Sequence, residues 1–382
     1  ARLRGWALTT LICLMFPWAR PAVSHAITAA EEEKLSEKFL VEVKKQFHIV
    51  DDPNITQYIN QLGQKIVQQL PPQPFKYRFH VIEEPTYNAF AGPGAVIFIN
   101  TGLLAAMTHE DELAGILCHE VIHVYSRHIS DRIERSKKVG VVTLAGLVAA
   151  IALGAAGGGA AANAAVIGSI AASQTMELAY SREDEIQADQ LGLQVLAKVG
   201  YSAQGLLEIM DKIRARQWFG SSQVPGYLRT HPAAEDRVVY IANWIDRHAD
   251  TDGRSVLKRD LEPYRFKKIR NLVLAKYSDS ATARAYFESE LRAEPTDGLD
   301  HYGLGLVLER SGEYDDAIVQ LRKALKKNAF DADLLADLGR VYFKNRRYTD
   351  ATTALQGALS INPDQMEGRY YLGRTQMELG NN

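Results

Sequence analysis

The sequence predicts two unlike parts: a mixed α+β domain, mostly helical with one small sheet, and behind it an all-α solenoid. Three observations predict this. Apolar residues in the first two thirds recur mainly at helical spacing, and two short runs alternate or cluster like strands. A leucine–glycine pair near the C-terminus returns every 34 residues, the period of a helix-turn-helix repeat. Composition is that of a globular chain, with 382 residues, 46% hydrophobic and 24% charged. The formal net charge of −2 lacks the basic excess of nucleic-acid binders, so no nucleic-acid partner is expected.

Arg2 and Arg4 precede the apolar run from Trp6 to Trp18, and Ser24-His25-Ala26 offers small residues at a cleavage point. Residues 1–26 therefore read as a secretory signal peptide, with a retained N-terminal anchor as the alternative. Cys13 lacks the small flanking residues of a lipoprotein cleavage box. Beyond that segment only Cys118 remains, so an exported chain would be stabilised by its core and not by a disulfide.

Glu31-Glu32-Glu33-Lys34 opens a first helix that runs to about Phe47. After the break at Val50 to Asn54, a second helix carries Ile55, Tyr58, Ile59, Leu62, Ile66 and Leu70 on one stripe and stops at Pro71-Pro72. Tyr77 to Ile82 alternates like a half-buried strand, and Ala95 to Ile99 reads as a second strand after the Gly92-Pro93-Gly94 turn.

The next helix begins near Glu110 and carries His119-Glu120-Val121-Ile122-His123. Helix positions four apart lie about 40° apart around the axis, so both imidazoles can reach one ion. Glu120 beside them can act as general base, the H-E-x-x-H arrangement of zinc peptidases. A catalytic zinc needs a third protein ligand and one open position. The acidic stretch from Tyr180 to Asp189 supplies it: Glu185 can coordinate, while Asp189, one turn on, orients a ligand histidine from behind. His128 follows His123 by five residues, not the six of the longer three-histidine motif; Ile129 occupies that place, and Arg127 rather than glycine stands near the bend, so Glu185 is the better ligand. Cys118 sits beside a ligand but points about 100° away, as a buried small hydrophobe would. These features predict a zincin-like metallopeptidase domain over 27–262, with one Zn²⁺ per chain.

The run from Glu112 through HEVIH to His128, followed by SREDEIQAD, resembles the M48 family of zinc metallopeptidases. Asn88-Ala89-Phe90-Ala91, Ala95 to Asn100, Gly102-Leu103-Leu104 and Arg229-Thr230-His231-Pro232 with Arg237 fit the same family. More narrowly, the chain resembles a periplasmic branch that joins the peptidase to tetratricopeptide repeats. The resemblance implies that His231 approaches the zinc, to stabilise a developing oxyanion or to block the open position at rest, and that Arg237 pairs with a site carboxylate. It also implies that Ala95 to Asn100, with Ala95, Val96, Ile97 and Phe98, is an exposed edge strand that holds an extended peptide substrate.

Between the two halves of the motif, residues 139–173 hold no charged residue and are rich in alanine and glycine. Gly157-Gly158-Gly159 divides them into arms of roughly 17 and 14 residues, at or below the ~20 needed to span a bilayer. A close-packed soluble hairpin and a membrane-touching hairpin both remain open. Trp218 to Ser222 reads as a loop, and Pro232 to about His248 as a helix.

Leu304-Gly305, Leu338-Gly339 and Leu372-Gly373 share the 34-residue period, as do Ala317 with Ala351 and Ala324 with Ala358. This is the period of tetratricopeptide repeats, assigned to 263–382, with Tyr264 to Glu294 as a degenerate first pair. The last repeat lacks its second helix, so a natural chain that continues further is expected.

The residues predict a zinc endopeptidase. The resemblance implies periplasmic quality control of misfolded or stalled outer-membrane proteins, with the repeats docking to outer-membrane assembly machinery. The alternative is a latent peptidase acting mainly as a repeat-based chaperone or scaffold.

Overall fold

A computed structural model describes residues 27–138, 179–219, 226–248 and 263–380. The expected signal peptide, the apolar insertion 139–173 and part of the Trp218 to Ser222 loop lie outside the described residues.

Helix α1 (Ala29–Gln46) starts where Thr28 and Glu31 close a reciprocal capping box. Helix α2 (Pro53–Val67) starts where Asp52 accepts from the N–H groups of Asn54 and Ile55, with proline at its first position. The predicted stripe of α2 is buried from Ile55 to Ile66. The sheet follows: β1 (Arg78–Ile82), β2 (Ala89–Gly92) and β3 (Val96–Asn100), in the order β1-β3-β2. Strand β1 runs parallel to β3, with Arg78 opposite Val96, and β2 runs antiparallel to it, with Gly92 opposite Val96.

This order corrects the expectation of a substrate-holding edge at Ala95 to Asn100. Strand β3 is the middle strand, hydrogen-bonded on both sides, so Val96, Ile97 and Phe98 have no free backbone edge for a peptide. All three are buried. Ala95 is not in a strand at all: it occupies the β2–β3 turn at φ 59°, after Gly94 at φ 66°. The sequence reading missed β2 because its four residues are buried on both faces and so show no alternation.

Helix α3 (Thr101–Ala106) leads into the motif helix α4 (Glu110–Tyr125), which is buried on every side from Glu110 to Val124. Around it pack α2, β2 and two later helices, α6 (Arg182–Val199) and α7 (Ala203–Phe219). Between them, α5 (His128–Lys138) follows α4 directly. The acidic first turn of α4 complements the helix dipole and also anchors it. Glu110 accepts from the Tyr58 hydroxyl at 2.5 Å, Asp111 accepts from the Ser202 N–H at 3.1 Å, and Glu112 pairs with Lys212 at 2.8 Å. Helices α8 (Gly226–Thr230) and α9 (Ala234–His248) complete this part.

The helical repeats are α10 (Pro263–Tyr277), α11 (Ser280–Ala293), α12 (Gly298–Arg310), α13 (Tyr314–Lys327), α14 (Ala332–Lys344), α15 (Tyr348–Ile361) and α16 (Met366–Glu378). The period has a direct steric cause. A Cβ on Gly305 would sit 2.7 Å from the Leu321 side chain, and one on Gly339 would sit 2.5 Å from Leu355, so each glycine admits the leucine of its partner helix. Ala317, Ala324, Ala351 and Ala358 are fully buried at the same interfaces.

The first pair departs from the expected pattern. Helix α10 lies mainly along α12 and against α2 and α3, and touches α11 little. Its cations bridge both parts: Lys276 reaches Asp52 at 2.7 Å, while Lys267 reaches Asp300 at 2.9 Å and Lys268 reaches Asp331 at 2.7 Å. One apolar core therefore continues from the α+β domain into the repeats. Among the described residues, no helix is long and apolar enough to cross a membrane.

Helix α7 approaches α4 closely at Gly205, where a Cβ would meet the backbone carbon of Asp111 at 2.4 Å. Gly205→Ala is expected to lower the unfolding free energy by about 1–3 kcal/mol through overpacking, seen as a lower urea midpoint. An unchanged midpoint would show that α7 is not seated on α4 as described.

Candidate metal centre

Helix α4 presents His119 and His123 one turn apart, with their Nε2 atoms 2.9 Å from each other. Helix α6 brings Glu185 to them, Oε2 lying 3.4 Å from His119 Nε2 and Oε1 3.4 Å from His123 Nε2. Ser181 fixes the start of α6 through a capping box with Asp184, which sets Glu185 at the end of the first turn. His231 arrives just after α8, its Nδ1 3.0 Å from Glu185 Oε1 and its Nε2 3.4 Å from Glu120. One ligand atom from each of His119, His123, Glu185 and His231 can be chosen so that all lie within 4.8 Å of one another. All four residues are buried.

Behind this cluster stands a charge network. Asp189 accepts from His119 Nδ1 at 2.9 Å. Arg237, on α9, pairs with Asp189 at 2.7 Å and with Glu185 at 2.7 Å. Burial alone would raise both carboxyl groups. Arg237, with His119 and, for Glu185, His231, outweighs that and holds Glu185 well below the usual carboxylate range and Asp189 below its own. Burial and Arg237 oppose a charge on His119, but Glu185 and Asp189 prevail and push it up to about 9. His123 goes the other way: burial drives it well below the usual histidine range. Burial also raises Glu120, whose two carboxylate oxygens have no hydrogen-bond partner among the described residues.

The donors fit a divalent cation. With the Nδ1 proton of His119 given to Asp189, its Nε2 lone pair faces His123 Nε2 at 2.9 Å. Two buried carboxylates, Glu185 and Asp189, share the guanidinium of Arg237, with the Glu120 carboxyl buried beside them. The negative surplus that draws a proton onto His119 favours a metal ion in the same place. Two imidazoles and one carboxylate are a common zinc donor set, although other divalent ions accept it as well.

Of the residues singled out in the sequence, His119, Glu120, His123, Glu185, Asp189, His231 and Arg237 converge here, while Ala95, Val96, Ile97 and Phe98 lie in the turn and middle strand described above. Two residues at the site carried no sequence signal strong enough to find them. The Tyr180 ring stacks on His123 with centroids 3.7 Å apart, and Tyr227 stacks on His231 at 4.3 Å. Both tyrosines are buried. Tyr180 directly precedes the Ser181 cap, and that adjacency was the one available hint.

Arg237 is 2% exposed, and its removal would strand two buried carboxylates. In chelator, Arg237→Met is expected to lose about 3–5 kcal/mol of stability by urea unfolding. A loss well under ~1 kcal/mol would show that the guanidinium does not balance them.

The model of peptidase family M48 matches residues 52–245, and two tetratricopeptide-repeat models match 273–332 and 308–365. The chain is 26% identical over 326 residues to the beta-barrel assembly-enhancing protease of Escherichia coli (strain K12), covering 83% of this chain and 64% of that protein. It is 25% identical over 331 residues to the protein of that name from Yersinia pestis, covering 85% of this chain and 66% of the relative. It is also 27% identical over 193 residues to the mitochondrial metalloendopeptidase OMA1 of Schizosaccharomyces pombe, covering 50% of this chain and 53% of the relative. The chain thus belongs to peptidase family M48, with a metalloendopeptidase domain followed by tetratricopeptide repeats.

Proposed function

We propose that the chain is a zinc-dependent endopeptidase in which His119, His123 and Glu185 hold the metal and Glu120 is the general base. The observation that carries this reading is the convergence of those donors in one buried cluster, beside a Glu120 carboxylate that no hydrogen bond among the described residues ties down. When bound, zinc would supply Lewis acidity toward water and the scissile carbonyl. Glu120 takes a proton from the attacking water and returns it to the leaving amine. Asp189 holds the His119 ring through Nδ1, and Arg237 keeps Asp189 and Glu185 ionised. His231 steadies negative charge developing on the carbonyl oxygen.

With β3 enclosed, β2 replaces it as the candidate for aligning a peptide, because it is an outer strand and packs against α4. The repeats support docking to protein partners. The bacterial relatives carry the name beta-barrel assembly-enhancing protease; in keeping with it, we infer substrates among misfolded or stalled outer-membrane proteins, a partner in their assembly machinery and a periplasmic location. Contact of 139–173 with the membrane belongs to the same reading.

A latent form, with the repeats acting as chaperone or scaffold, is a second reading. It is favoured by the full burial of Glu120 and His231 and by the position of His231 within the donor cluster. A histidine there competes with water for the metal's remaining position.

Glu120→Gln is expected to keep zinc while proteolysis falls by about 10²–10⁴-fold, read by metal analysis beside cleavage of an unfolded substrate. Cellular function that survives this substitution would favour the scaffold reading. Glu185→Gln is expected to lose most of its zinc. Full metal content and activity in that variant would remove Glu185 from the ligand set.

A further inference from the structure

The geometry points to a polar relay, His123–His128–Gln187, that fixes the tautomer of His123 so that its Nε2 lone pair faces the donor cluster. The inference rests on the reading of that cluster as a zinc site, and it makes His128 and Gln187 positioning residues.

His123 Nδ1 lies 2.9 Å from His128 Nδ1, and His128 Nε2 lies 2.7 Å from Gln187 Oε1. An amide oxygen only accepts, so His128 Nε2 donates to it. A neutral imidazole that has spent its one proton there can only accept at Nδ1, and the donor must then be His123 Nδ1–H. His123 Nε2 is left unprotonated, the state a metal ligand needs. Reversal of every bond in the chain would put a proton on His123 Nε2 and aim it at Glu185 and His119, excluding coordination. The amide of the exposed residue Gln187 thus sets the direction of a chain that ends in the buried donor cluster.

The fold supports this geometry with specific contacts. His128 can reach back to His123 because Arg127, between α4 and α5, takes a left-handed conformation at φ 66°. A non-glycine residue is strained there, and the chain compensates. The Arg127 guanidinium pairs with buried Glu32 at 2.8 Å, donates to the Ile27 carbonyl at 2.7 Å and lies 5.0 Å from the Phe75 ring centroid. Glu32 also accepts from Ser130 on α5 at 2.9 Å. Gln187 shares α6 with Glu185, so one helix supplies a candidate ligand and the end of the relay. Asp184 Oδ1, 3.6 Å from His128 Nε2, faces the same proton and favours it electrostatically.

The two imidazoles are therefore held unequally. His119 donates to the carboxylate of Asp189, whereas His123 donates to a neutral ring ending at an amide. A carboxylate partner makes an imidazole the stronger donor, so His119 would bind the metal more tightly than His123.

The test uses the full chain, ¹⁵N-labelled at histidine and stripped of metal by chelator, with zinc then titrated against a competing chelator. His123 is expected as the Nδ1–H tautomer in long-range ¹H–¹⁵N spectra of the unsubstituted protein. His128→Leu should make that signature mixed and weaken zinc binding by about 10–100-fold. His128→Asn, whose amide oxygen can accept from His123, should recover part of the loss. Gln187→Leu, at the exposed end, should weaken zinc binding less than His128→Leu does and have no further effect in the His128→Leu background. The relay is overturned if His123 carries its proton on Nε2, if neither variant alters tautomer or affinity, or if the two losses add independently. Failure of the unsubstituted chain to bind zinc would instead remove the metal-site reading, and the tautomer measured without metal would still decide the relay.

Discussion

A buried guanidinium shared by two carboxylates is the interaction on which the rest of the site depends. Glu185 and Asp189 lie one turn apart on α6, and Arg237 from α9 contacts both at 2.7 Å. Two carboxylates out of water would otherwise take up protons, and a protonated Glu185 is a poor metal donor. The same pairing locks α9 to α6, and the bond from His119 to Asp189 locks α6 to α4. Charge balance and helix placement are one problem with one solution. Its cost is desolvation, which only close packing around the charges can make worthwhile.

That requirement explains why α4 is buried on every side. An amphipathic helix leaves half its surface wet, but this one carries its chemistry inward and its anchors at its N-terminal end. Glu110, Asp111 and Glu112 each reach a different neighbour, so the helix cannot slide or rotate without breaking a buried polar contact. Helix α10 extends the same logic toward the repeats. Its lysines meet Asp52 on one side and Asp300 and Asp331 on the other. The repeat array is thereby fixed against α2 and α3, which themselves support the sheet and motif helix.

Elements governed by local periodicity were legible in the sequence. The α2 stripe, the motif helix and the alternation of glycine and alanine with buried leucine in the repeats all follow from spacing along one chain segment. Elements governed by partners were not. Val96 to Phe98 looks the same whether β3 is an edge or a middle strand, and only the parallel pairing with β1 decides it. His128 resembles an ordinary helix-boundary residue until the left-handed turn at Arg127 folds it back beneath His123. Helix α10 has a plausible repeat pattern, yet packing against the neighbouring domain draws it away from α11.

The sequence by itself determined the donor types, their spacing on one helix face and the repeat period, because these depend on residues separated by one or a few helical turns. Tertiary structure decided which strand is enclosed, how two carboxylates share one arginine, and which proton each imidazole keeps. Those outcomes depend on distances between groups as much as 118 positions apart, as with Arg237 and His119. Burial strengthens such interactions, and local sequence carries no record of them.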